Sequence, residues 1–405
     1  MSKRGFEDTA ARWAEDRARP KESEETMNFE LSQDHKVLQD SVRDFVNKEI
    51  KPLAIKIDED HKIPDDLVDK MSAMGLMGSY ISDEYEGAGL DMLSYAIVVE
   101  EVSKACGSSG VLISAHTSLA CDPIYRFGTG EQKKKYLPDL ATGRKIGCIL
   151  LTEPDVGSDV SGMATMYRRE GDEIVINGGK TFITNGASLG TGVLFATHDK
   201  SLKHKGISAF IVDLTLPGVT ILKNEKKMGI RGSSTTAFAF DDLRIPAANM
   251  LGQEGQGFKI AMETLNGGRI GIASQALGIA EGAFERALAY SKERKQFGAP
   301  ICDLQAIQFK LADMYSRIEM SKLLVYKAAW MKDNKMNYAM ESAMCKMCAS
   351  ETAIFVTREA VQIHGGYGYI ADYEVERMYR DAKITEIYEG TNEVQRVVIS
   401  KMLLA

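Results

Sequence analysis

Near the C-terminal end of the sequence, one glutamate stands in a setting that could make it a base. Glu389 follows Ile387 and Tyr388 and precedes Gly390, just ahead of a stretch rich in Val, Ile and Leu. The two large neighbours can remove water from the carboxylate, which would raise its pKa and make it a stronger base. Gly390 lets the backbone come close to a ligand. A plainer interpretation also stays open, namely a turn whose glutamate favours the start of the following helix.

Other segments combine glycines with polar side chains, a combination that suits the binding of phosphate or carbonyl groups. They are Leu151–Asp159 (LTEPDVGSD), Gly267–Gly271 (GGRIG), Glu293–Gln305 and Gln362–Tyr369 (QIHGGYGY). Glycines inside a helix cost stability, so the GGRIG segment indicates the close approach of another backbone or of a ligand. Each segment has a simpler alternative, such as a polar turn or a surface arginine. The sequence Gly179-Lys180-Thr181 is not a P-loop, because the first glycine of that motif would fall on Ile174.

The composition excludes several classes of protein. The chain has 405 residues, 44% of them hydrophobic, which is enough for two or three domains with real cores. Its net charge of -7 and the lack of a basic stripe argue against nucleic acid as a partner. No apolar run in the sequence reaches the length of a membrane span. Six cysteines do not make a disulfide framework, and Cys345 and Cys348 are better explained as core residues than as zinc ligands. We therefore predict a cytoplasmic protein without a metal site.

The spacing of apolar residues predicts a mostly α chain with a central β domain. Residues 1–26 are a charged extension that we predict to be disordered or loosely docked. Residues 27–148 have helical periodicity throughout most of their length. Residues 149–255 contain short β-branched and aromatic runs separated by Gly and Asn, typical of a small, mostly antiparallel β domain. Residues 256–405 return to long amphipathic stretches, four of which suit a helical bundle.

Six runs of residues carry the β prediction. They are 173–177, 181–184, 193–197, 209–212, 219–222 and 236–240. Because Gly178 and Gly179 lie between the first two runs, the sequence predicts a turn at that point.

In this order, the glycine-rich segments and the α-β-α plan closely resemble the acyl-CoA dehydrogenase family. The resemblance extends from about Met27 to Leu404, and within the family the sequence is most similar to those of short-chain (butyryl-CoA) dehydrogenases. Three further segments support the resemblance: Ser114–Leu119 (SAHTSL), Gly229–Thr236 (GIRGSSTT) and Asp381–Thr391 (DAKITEIYEGT). It implies a helical N-terminal domain, a β-barrel-like middle domain and a C-terminal four-helix bundle.

The resemblance also implies a role for Glu389 and a set of binding residues. Glu389 matches the base that removes the α-proton of an acyl-CoA thioester while flavin N5 takes the β-hydride, and its backbone amide would help to polarise the thioester carbonyl. The FAD cofactor would contact Ile149, Leu151, Thr152, Gly157, Ser158, Phe182, Ile183, Thr184, Arg294, Gln305, Gln362, Gly365, Gly366, Thr391 and Glu393. The CoA channel would be lined by Ser158, Asn266, Arg269 and Gly390. Some FAD contacts would cross a subunit boundary.

Several positions depart from the family pattern. Phe182 stands where many members have Trp, and Asn266 where many have Asp. Gly110 stands where glutaryl-CoA dehydrogenases carry an arginine for the distal carboxylate. Gly268 precedes Arg269, so the base that some relatives carry on this helix is absent, and Glu389 is the matching base.

The predicted function is FAD-dependent α,β-dehydrogenation of a compact acyl-CoA, which would be short, branched, cyclic or aryl-substituted. Such a reaction belongs to the degradation of fatty, aromatic or alicyclic acids. The predicted partners are the acyl-CoA substrate, an electron-transferring flavoprotein and further copies of the chain in a homotetramer. Three alternatives stay open: a dicarboxyl-type dehydrogenase, an acyl-CoA oxidase and a non-catalytic flavoprotein. The charged stretch Ala120–Arg126, which follows the predicted pocket helix, could serve a ring or a second carboxylate.

Overall fold

The computed structural model describes residues 30–405, so the predicted extension at 1–26 lies outside the described residues. Residues 38–405 form one compact unit, and residues up to Val37 belong to a second unit. The helices before the sheet are α1 (Gln33–Phe45), α2 (Ala54–Asp60), α3 (Asp65–Ala73), α4 (Met92–Ala105), α5 (Gly107–Ser114), α6 (Asp122–Phe127) and α7 (Gly130–Ala141). A π-helical segment, Ala115–Cys121, joins α5 to α6. Such segments are rare and often mark functional sites.

Local sequence explains where these helices begin. The backbone of His35 donates to Oγ of Ser32 at 3.2 Å, which caps α1. Helix α7 has a full capping box, in which Thr129 and Gln132 exchange side-chain and backbone hydrogen bonds. Helix α4 is buried on nearly all sides, which is typical of a helix in the centre of a fold.

The central sheet contains β1 (Gly147–Leu150), β2 (Met166–Glu170), β3 (Glu173–Thr184), β4 (Thr191–Thr197), β5 (Ile207–Asp213), β6 (Val219–Asn224), β7 (Thr235–Pro246) and β8 (Met250–Leu251). Their order is β6-β7-β3-β2-β4-β5-β8, and β1 lies beside β4. Neighbours are antiparallel except β1–β4 and β2–β4, which are parallel. The path begins at β6 and ends at β8, so the sheet is open.

The predicted turn at Gly178 and Gly179 is wrong, because both residues lie inside the single strand β3. Pairing with β7 continues on both sides of them, with irregular register next to Gly178. A Cβ atom at Gly178 would lie 2.7 Å from the Cα atom of Thr165, so the glycine permits a close crossing of strands rather than a reversal. Sequence patterns also did not indicate β1 and β2, two short strands on either side of the loop Leu151–Asp159.

After the sheet come α8 (Gly257–Glu293), the small hairpin β9 (Lys295–Gln296) and β10 (Ala299–Pro300), α9 (Gln305–Asp333), α10 (Ala339–His364), α11 (Val375–Ile384) and α12 (Asn392–Leu404). The sequence predicted two separate helical stretches here, 337–350 and a continuation to Ile363. They form one helix, α10, because neither Gly nor Pro interrupts it. Helix α8 packs against α10, α4 and α9, and the main apolar core lies between these four helices.

The order of helices, sheet and helices confirms the predicted fold class. The chain changes from helix to strand between Ala141 and Gly147, and back again between Leu251 and Gly257. The exact domain limits stay predictions. Within residues 30–405, no helix combines the length and the apolar character that a membrane crossing needs.

Candidate active site

Glu389 lies in a strained turn between α11 and α12. Its φ angle is 53°, in the left-handed region, and Gly390 follows with a φ angle of 91°. A residue with a side chain seldom adopts this conformation, and such strain concentrates at functional sites. Gln395 Nε2 holds the turn by donating to the carbonyl oxygens of Gly390 (2.7 Å) and Glu389 (3.3 Å). Thr391 then caps α12 through a 3.3 Å bond from the backbone of Val394.

The carboxylate of Glu389 is buried on one side and lacks the bonds that buried carboxylates normally have. The residue as a whole is partly exposed, but Oε2 is buried and receives no hydrogen bond from any described residue. Burial raises the pKa of Glu389 to about 8, although the charges of Lys346 and Arg269 oppose this shift. A buried polar atom without a partner is uncommon and calls for an explanation. A missing ligand is one such explanation.

Helix α8 presents a row of glycines to this carboxylate. A Cβ atom at Gly268 would lie 2.1 Å from Oε2 of Glu389 and 2.7 Å from Leu119. One turn later, a Cβ atom at Gly271 would lie 2.3 Å from the hydroxyl of Tyr95. A larger residue at either position would force these side chains to move, which agrees with the close approach that the cost of helical glycines suggested.

The structure also brings two of the predicted CoA residues together beside Glu389. Arg269 on α8 is buried, and its Nη1 donates to Oδ1 of Asn266 at 2.8 Å. Its Nε is buried without a partner among residues 30–405. Burial lowers the pKa of Arg269, and the charge of Glu389 partly offsets that effect. A buried guanidinium with an unused donor suits a carbonyl or phosphate oxygen.

The predicted flavin segments meet where the loop after β1 crosses β3. Lys180 Nζ donates to the carbonyl oxygen of Leu151 at 3.0 Å, and the backbone of Thr181 donates to that of Thr152 at 2.9 Å. These bonds put Leu151 and Thr152 next to the end of β3, which holds Phe182, Ile183 and Thr184. Phe182 has a φ angle of 57° and is 63% exposed. Of the remaining predicted residues, Ile149 is partly buried in β1, and Gly157 and Ser158 are exposed in the loop.

Glu153 anchors this loop from below. Its carboxylate accepts from Lys180 Nζ (2.7 Å) and from the backbones of Ala164 (2.6 Å) and Thr165 (3.0 Å). Burial opposes the charge on Glu153, but Lys180 and the amide bonds outweigh it, and the pKa of Glu153 is lowered. Burial lowers the pKa of Lys180 to about 8. The pair fixes the loop to the sheet.

A cleft of about 510 Å³ lies at the far end of α10. Its lining residues are Tyr290, Arg294, Gln296, Ile301, Ile363, His364, Gly365, Gly366, Tyr367 and Ile370. Gly365 has a φ angle of 61°, and both glycines leave open space where a Cβ atom would stand. Three predicted cofactor residues, Arg294, Gly365 and Gly366, therefore share one surface.

The other predicted cofactor residues lie outside the lining of this cleft. Gln362 is exposed on α10, less than one turn before Gly365, and Gln305 is the exposed first residue of α9. Glu393 lies in the first turn of α12, where its own backbone amide and Thr391 lower its pKa. Thr391 and Glu393 thus belong to the turn that carries Glu389 rather than to the cleft.

Sequence reasoning missed the second cation beside Glu389. Lys346 on α10 is fully buried, and its Nζ donates to Oδ1 of Asn392 at 3.0 Å. Asn392 is the first residue of α12, so this bond ties α10 to the turn of Glu389. Burial lowers the pKa of Lys346 to about 8. One signal was available, because Lys346 interrupts the otherwise small, apolar face of α10 that carries Cys345 and Ala349.

Taken together, these features indicate an enzyme rather than a structural protein, since a buried and unbonded carboxylate costs stability and such groups with strongly shifted pKa values concentrate at functional sites. Three domain families match the chain. They are the N-terminal domain (32–144), middle domain (148–243) and C-terminal domain (255–404) of acyl-CoA dehydrogenases. The chain belongs to the acyl-CoA dehydrogenase family, which confirms the resemblance and the predicted enzyme class.

Individual proteins agree with this membership. The short-chain specific acyl-CoA dehydrogenase of Clostridium acetobutylicum is 53% identical over 374 residues, which cover 92% of this chain and 99% of that protein. The structure of butyryl-CoA dehydrogenase from Megasphaera elsdenii has a TM-score of 0.92 at 46% identity and covers 94% of this chain and 100% of its own.

Two further structures are informative about ligands and partners of relatives. A chain from work on the electron transferring flavoprotein of Acidaminococcus fermentans has a TM-score of 0.92 at 49% identity, covering 93% of this chain and all of its own. A glutaryl-CoA dehydrogenase from Mycobacterium smegmatis, in complex with FADH2, has a TM-score of 0.87 at 32% identity and covers 92% of this chain and 95% of its own.

Proposed function

We propose that the chain catalyses the α,β-dehydrogenation of a compact acyl-CoA, with FAD as its cofactor and Glu389 as the base. One observation carries this proposal: Oε2 of Glu389 is buried without a hydrogen bond from residues 30–405, against Gly268, where a Cβ atom would lie 2.1 Å from it. The α-proton of a thioester is only weakly acidic, so its removal needs a desolvated carboxylate of raised pKa. A non-catalytic binding protein has no use for such a group.

FAD is the cofactor of this family, and the residues present fit it. The cleft with Arg294 and the open glycines Gly365 and Gly366 suits a diphosphate and an adenine. The exposed, strained Phe182 and the loop at Leu151–Thr152 offer a flat surface and backbone groups to a flavin ring. When bound, FAD supplies the acceptor for the hydride from the β-carbon.

The residues around Glu389 have complementary tasks in this proposal. Glu389 takes the α-proton, and its strained backbone directs the carboxylate towards α8. Arg269 and Lys346 act against the burial that raises the pKa of Glu389, so that a useful fraction of the carboxylate is ionised near neutral pH. The backbone amide of Glu389 would donate to the thioester oxygen as negative charge develops there. Gln395 keeps that peptide in place through its bond to the Glu389 carbonyl.

The acyl group is proposed to be compact. Leu119 and Tyr95 both approach the glycine row of α8 closely, which narrows the space next to the base. One methylene group is worth only about 1–3 kcal/mol of discrimination in an apolar pocket, so chain length should be tuned rather than absolute. Gly110 stands at the position of the arginine in glutaryl-CoA dehydrogenases and is buried. A Cβ atom added there would lie about 2.0 Å from Oγ of Ser103. It leaves no room for a long side chain.

The experiment is anaerobic bleaching of the bound flavin by a panel of esters. The panel contains butyryl-, isobutyryl-, cyclohexanecarbonyl-, glutaryl- and palmitoyl-CoA. We expect rapid bleaching by at least one compact ester and slow bleaching by palmitoyl-CoA. Fastest reaction with palmitoyl-CoA would refute the compact acyl group while leaving the class of reaction intact. A colourless protein that does not take up FAD would refute the flavoenzyme itself.

Electrons are proposed to pass to an electron-transferring flavoprotein, and the working assembly is proposed to be a homotetramer in the cytoplasm. Support for an assembly comes from large apolar side chains exposed along α9, which are Phe309, Tyr315, Met320, Leu323 and Trp330. Light scattering that gives a monomer with a full complement of FAD would contradict the tetramer. Reoxidation by dioxygen as fast as by the flavoprotein would favour an oxidase.

A further inference from the structure

A buried ion pair lies next to the proposed acyl site and is not used by the proposed mechanism. Asp122 is the first residue of α6, directly after the π-helical segment, and is 1% exposed. Its Oδ1 accepts from Nζ of Lys332 on α9 at 3.2 Å. Its Oδ2 is buried and accepts no hydrogen bond from residues 30–405. Nη1 of Arg126 forms an ion pair with Oδ2 at 3.5 Å, too long for a hydrogen bond by the usual criteria, and that guanidinium donates to Glu263 at 2.7 Å.

The pair and the proposed base lie against neighbouring residues of one helix. A Cβ atom at Gly268 would touch Oε2 of Glu389, whereas one at Gly267 would lie 2.9 Å from Nζ of Lys332 and 4.0 Å from Oδ2 of Asp122. The two carboxylates thus flank the same short stretch of α8. A substrate whose α-carbon faces Glu389 would extend its remaining carbons along this stretch.

Tyr95 connects the two carboxylates electrostatically. Its hydroxyl lies against Gly271, one turn further along α8, and donates to Oγ of Ser114 at 3.2 Å. Burial raises the pKa of Tyr95, and the charges of Glu389 and Asp122 add to that effect. Both carboxylates therefore act on one buried phenol.

The ion pair is unsuited to an alkyl group. An alkyl chain packed against Asp122 and Lys332 would exclude water from both charges and offer nothing in return. Oδ2 of Asp122 lacks a donor, and the ammonium group of Lys332 has three N–H groups but one carboxylate oxygen as acceptor, besides the ring of Tyr80 at 4.9 Å. A hydroxyl group can donate to the first and accept from the second. A carboxylate can only accept, and Asp122 would repel it.

We propose that Asp122 and Lys332 form a polar subsite that binds a hydroxyl group on the distal carbons of the acyl substrate. This inference rests on the proposed function, because it takes Glu389 to mark the α-carbon. It narrows the substrate class to compact hydroxyacyl-CoA esters, and it gives a use to the charged stretch that follows the pocket helix.

The test compares esters that differ only in the hydroxyl group. Pairs would be pentanoyl- and 5-hydroxypentanoyl-CoA, and cyclohexanecarbonyl- and 4-hydroxycyclohexanecarbonyl-CoA, with glutaryl-CoA as the carboxylate probe. Anaerobic flavin reduction gives kcat/KM, and calorimetry on the Glu389→Gln variant gives binding without reaction. We expect at least one hydroxy ester to exceed its alkyl partner about tenfold or more in both measurements, since a site that bonds a hydroxyl discriminates against its absence.

The variant should remove both charges together. Asp122→Leu with Lys332→Met replaces the pair by apolar side chains of similar size, which buried pairs often tolerate, whereas either single change would leave a buried charge alone. In the double variant the preference should vanish or reverse. Lys259→Gln, which removes an exposed charge of α8 whose ion-pair partner is Glu263 rather than Asp122, should keep the preference.

Two results would overturn the subsite. The first is an equal response to hydroxy and alkyl esters by the unaltered enzyme, or a hydroxyl preference that survives in the double variant. Either would make the pair purely structural, with a water on Oδ2. The second is a glutaryl-CoA preference that the double variant loses, which would make the subsite one for carboxylates. If no ester bleaches the flavin at all, the proposed function itself fails.

Discussion

Two glutamates with buried carboxylate oxygens, Glu153 and Glu389, contrast in how the protein treats the same residue type. Glu153 accepts three hydrogen bonds, one of them from the buried ammonium group of Lys180, and its pKa is lowered. Glu389 has a buried oxygen with no hydrogen bond from the described part of the chain, and its pKa is raised to about 8. The bonded carboxylate stabilises a loop, and the unbonded one is free to react.

The difference comes from the backbone rather than from burial. Glu153 lies in a loop whose returning chain aims two amides at its side chain. Glu389 lies in a left-handed turn that directs its side chain at Gly268, where α8 offers neither a side chain nor a free amide. Cations are near both residues, but only Glu153 forms a bond with one. The proposed base is thus distinguished from the anchoring glutamate by the lack of hydrogen-bond donors among the described residues around it.

The largest effect should come from Glu389→Gln. The amide keeps the shape of the side chain but cannot accept the α-proton, so flavin reduction should fall at least ~10²-fold, the usual scale for a general base. FAD content and ester binding, measured by absorbance and calorimetry, should be retained. Flavin reduction near the original rate would move the base to another residue.

The same substitution should have a stability effect that depends on pH. The folded-state pKa of Glu389 lies above its ordinary value of 4.5, so the folded protein holds a proton that the unfolded chain has released between about pH 4.5 and 8. The free energy of unfolding therefore falls through that range in the unaltered protein. Glu389→Gln removes this loss. The unfolding temperature of the variant minus that of the unaltered protein should therefore be larger at pH 7 than at pH 4.5.

Glu153→Gln should act in the opposite direction. It leaves the ammonium group of Lys180 buried without its carboxylate, and loss of one partner of a buried pair costs about 3–5 kcal/mol. Because the pKa of Glu153 is lowered, its contribution is present above the ordinary pKa and is lost in acid. Thermal unfolding should show the deficit at pH 7, and the deficit should shrink as the pH falls well below 4.5. Glu153→Gln combined with Lys180→Met is the control, and it should recover much of the loss. Equal stability of the single variant and the unaltered protein would refute the anchoring role.

The contrast also marks what could be predicted from the sequence. Glu389 was identifiable because the large side chains of Ile387 and Tyr388 and the flexible Gly390 are its neighbours in the chain, although Ile387 is 48% exposed and the carboxylate faces Gly268 of α8. Lys346 was missed because its relation to Glu389 depends on the packing of α10 against the turn before α12, which no local pattern encodes. Gln395 lies only six residues after Glu389, but its type does not reveal that its side chain bonds back to the turn. Gly178 was misinterpreted because Thr165, the residue that lies against it, is thirteen positions earlier in the chain, and this contact favours a bulge over a turn.

Gly268→Ala tests the space in front of the base. The new methyl group would lie 2.1 Å from Oε2, so the carboxylate must move. A displacement of about 1 Å can cost up to ~10²-fold in rate, and we expect a loss of about 10- to 100-fold. Gly130→Ala is the control, because nothing lies within 4 Å of a Cβ atom at that exposed helix start. Flavin reduction should be unchanged in the control, and an unimpaired Gly268→Ala variant would mean that the carboxylate points elsewhere during the reaction.

The smallest effect should come from Lys346→Met, and it would show how finely the reactive carboxylate is adjusted. Glu389 must be ionised to act, so flavin reduction in the unaltered protein should rise with pH up to about 8. The charges of Lys346 and Arg269 lower the pKa of Glu389, and the charge of Glu389 in turn raises the pKa values of the phenols of Tyr95 and Tyr388.

Removal of the Lys346 charge should move the rising limb to higher pH and slow the reaction at pH 7 by a few-fold to about tenfold, the latter corresponding to one pKa unit. Lys346→Arg should restore the profile. Stopped-flow reduction between pH 6 and 10 separates this electrostatic role from a structural one. If the charge is what matters, the Lys346→Met variant regains nearly the full rate at high pH. If Lys346 serves only to hold Asn392 and the turn, the rate falls by the same factor at every pH. The charge of Lys346 then has no part in setting the pKa of Glu389.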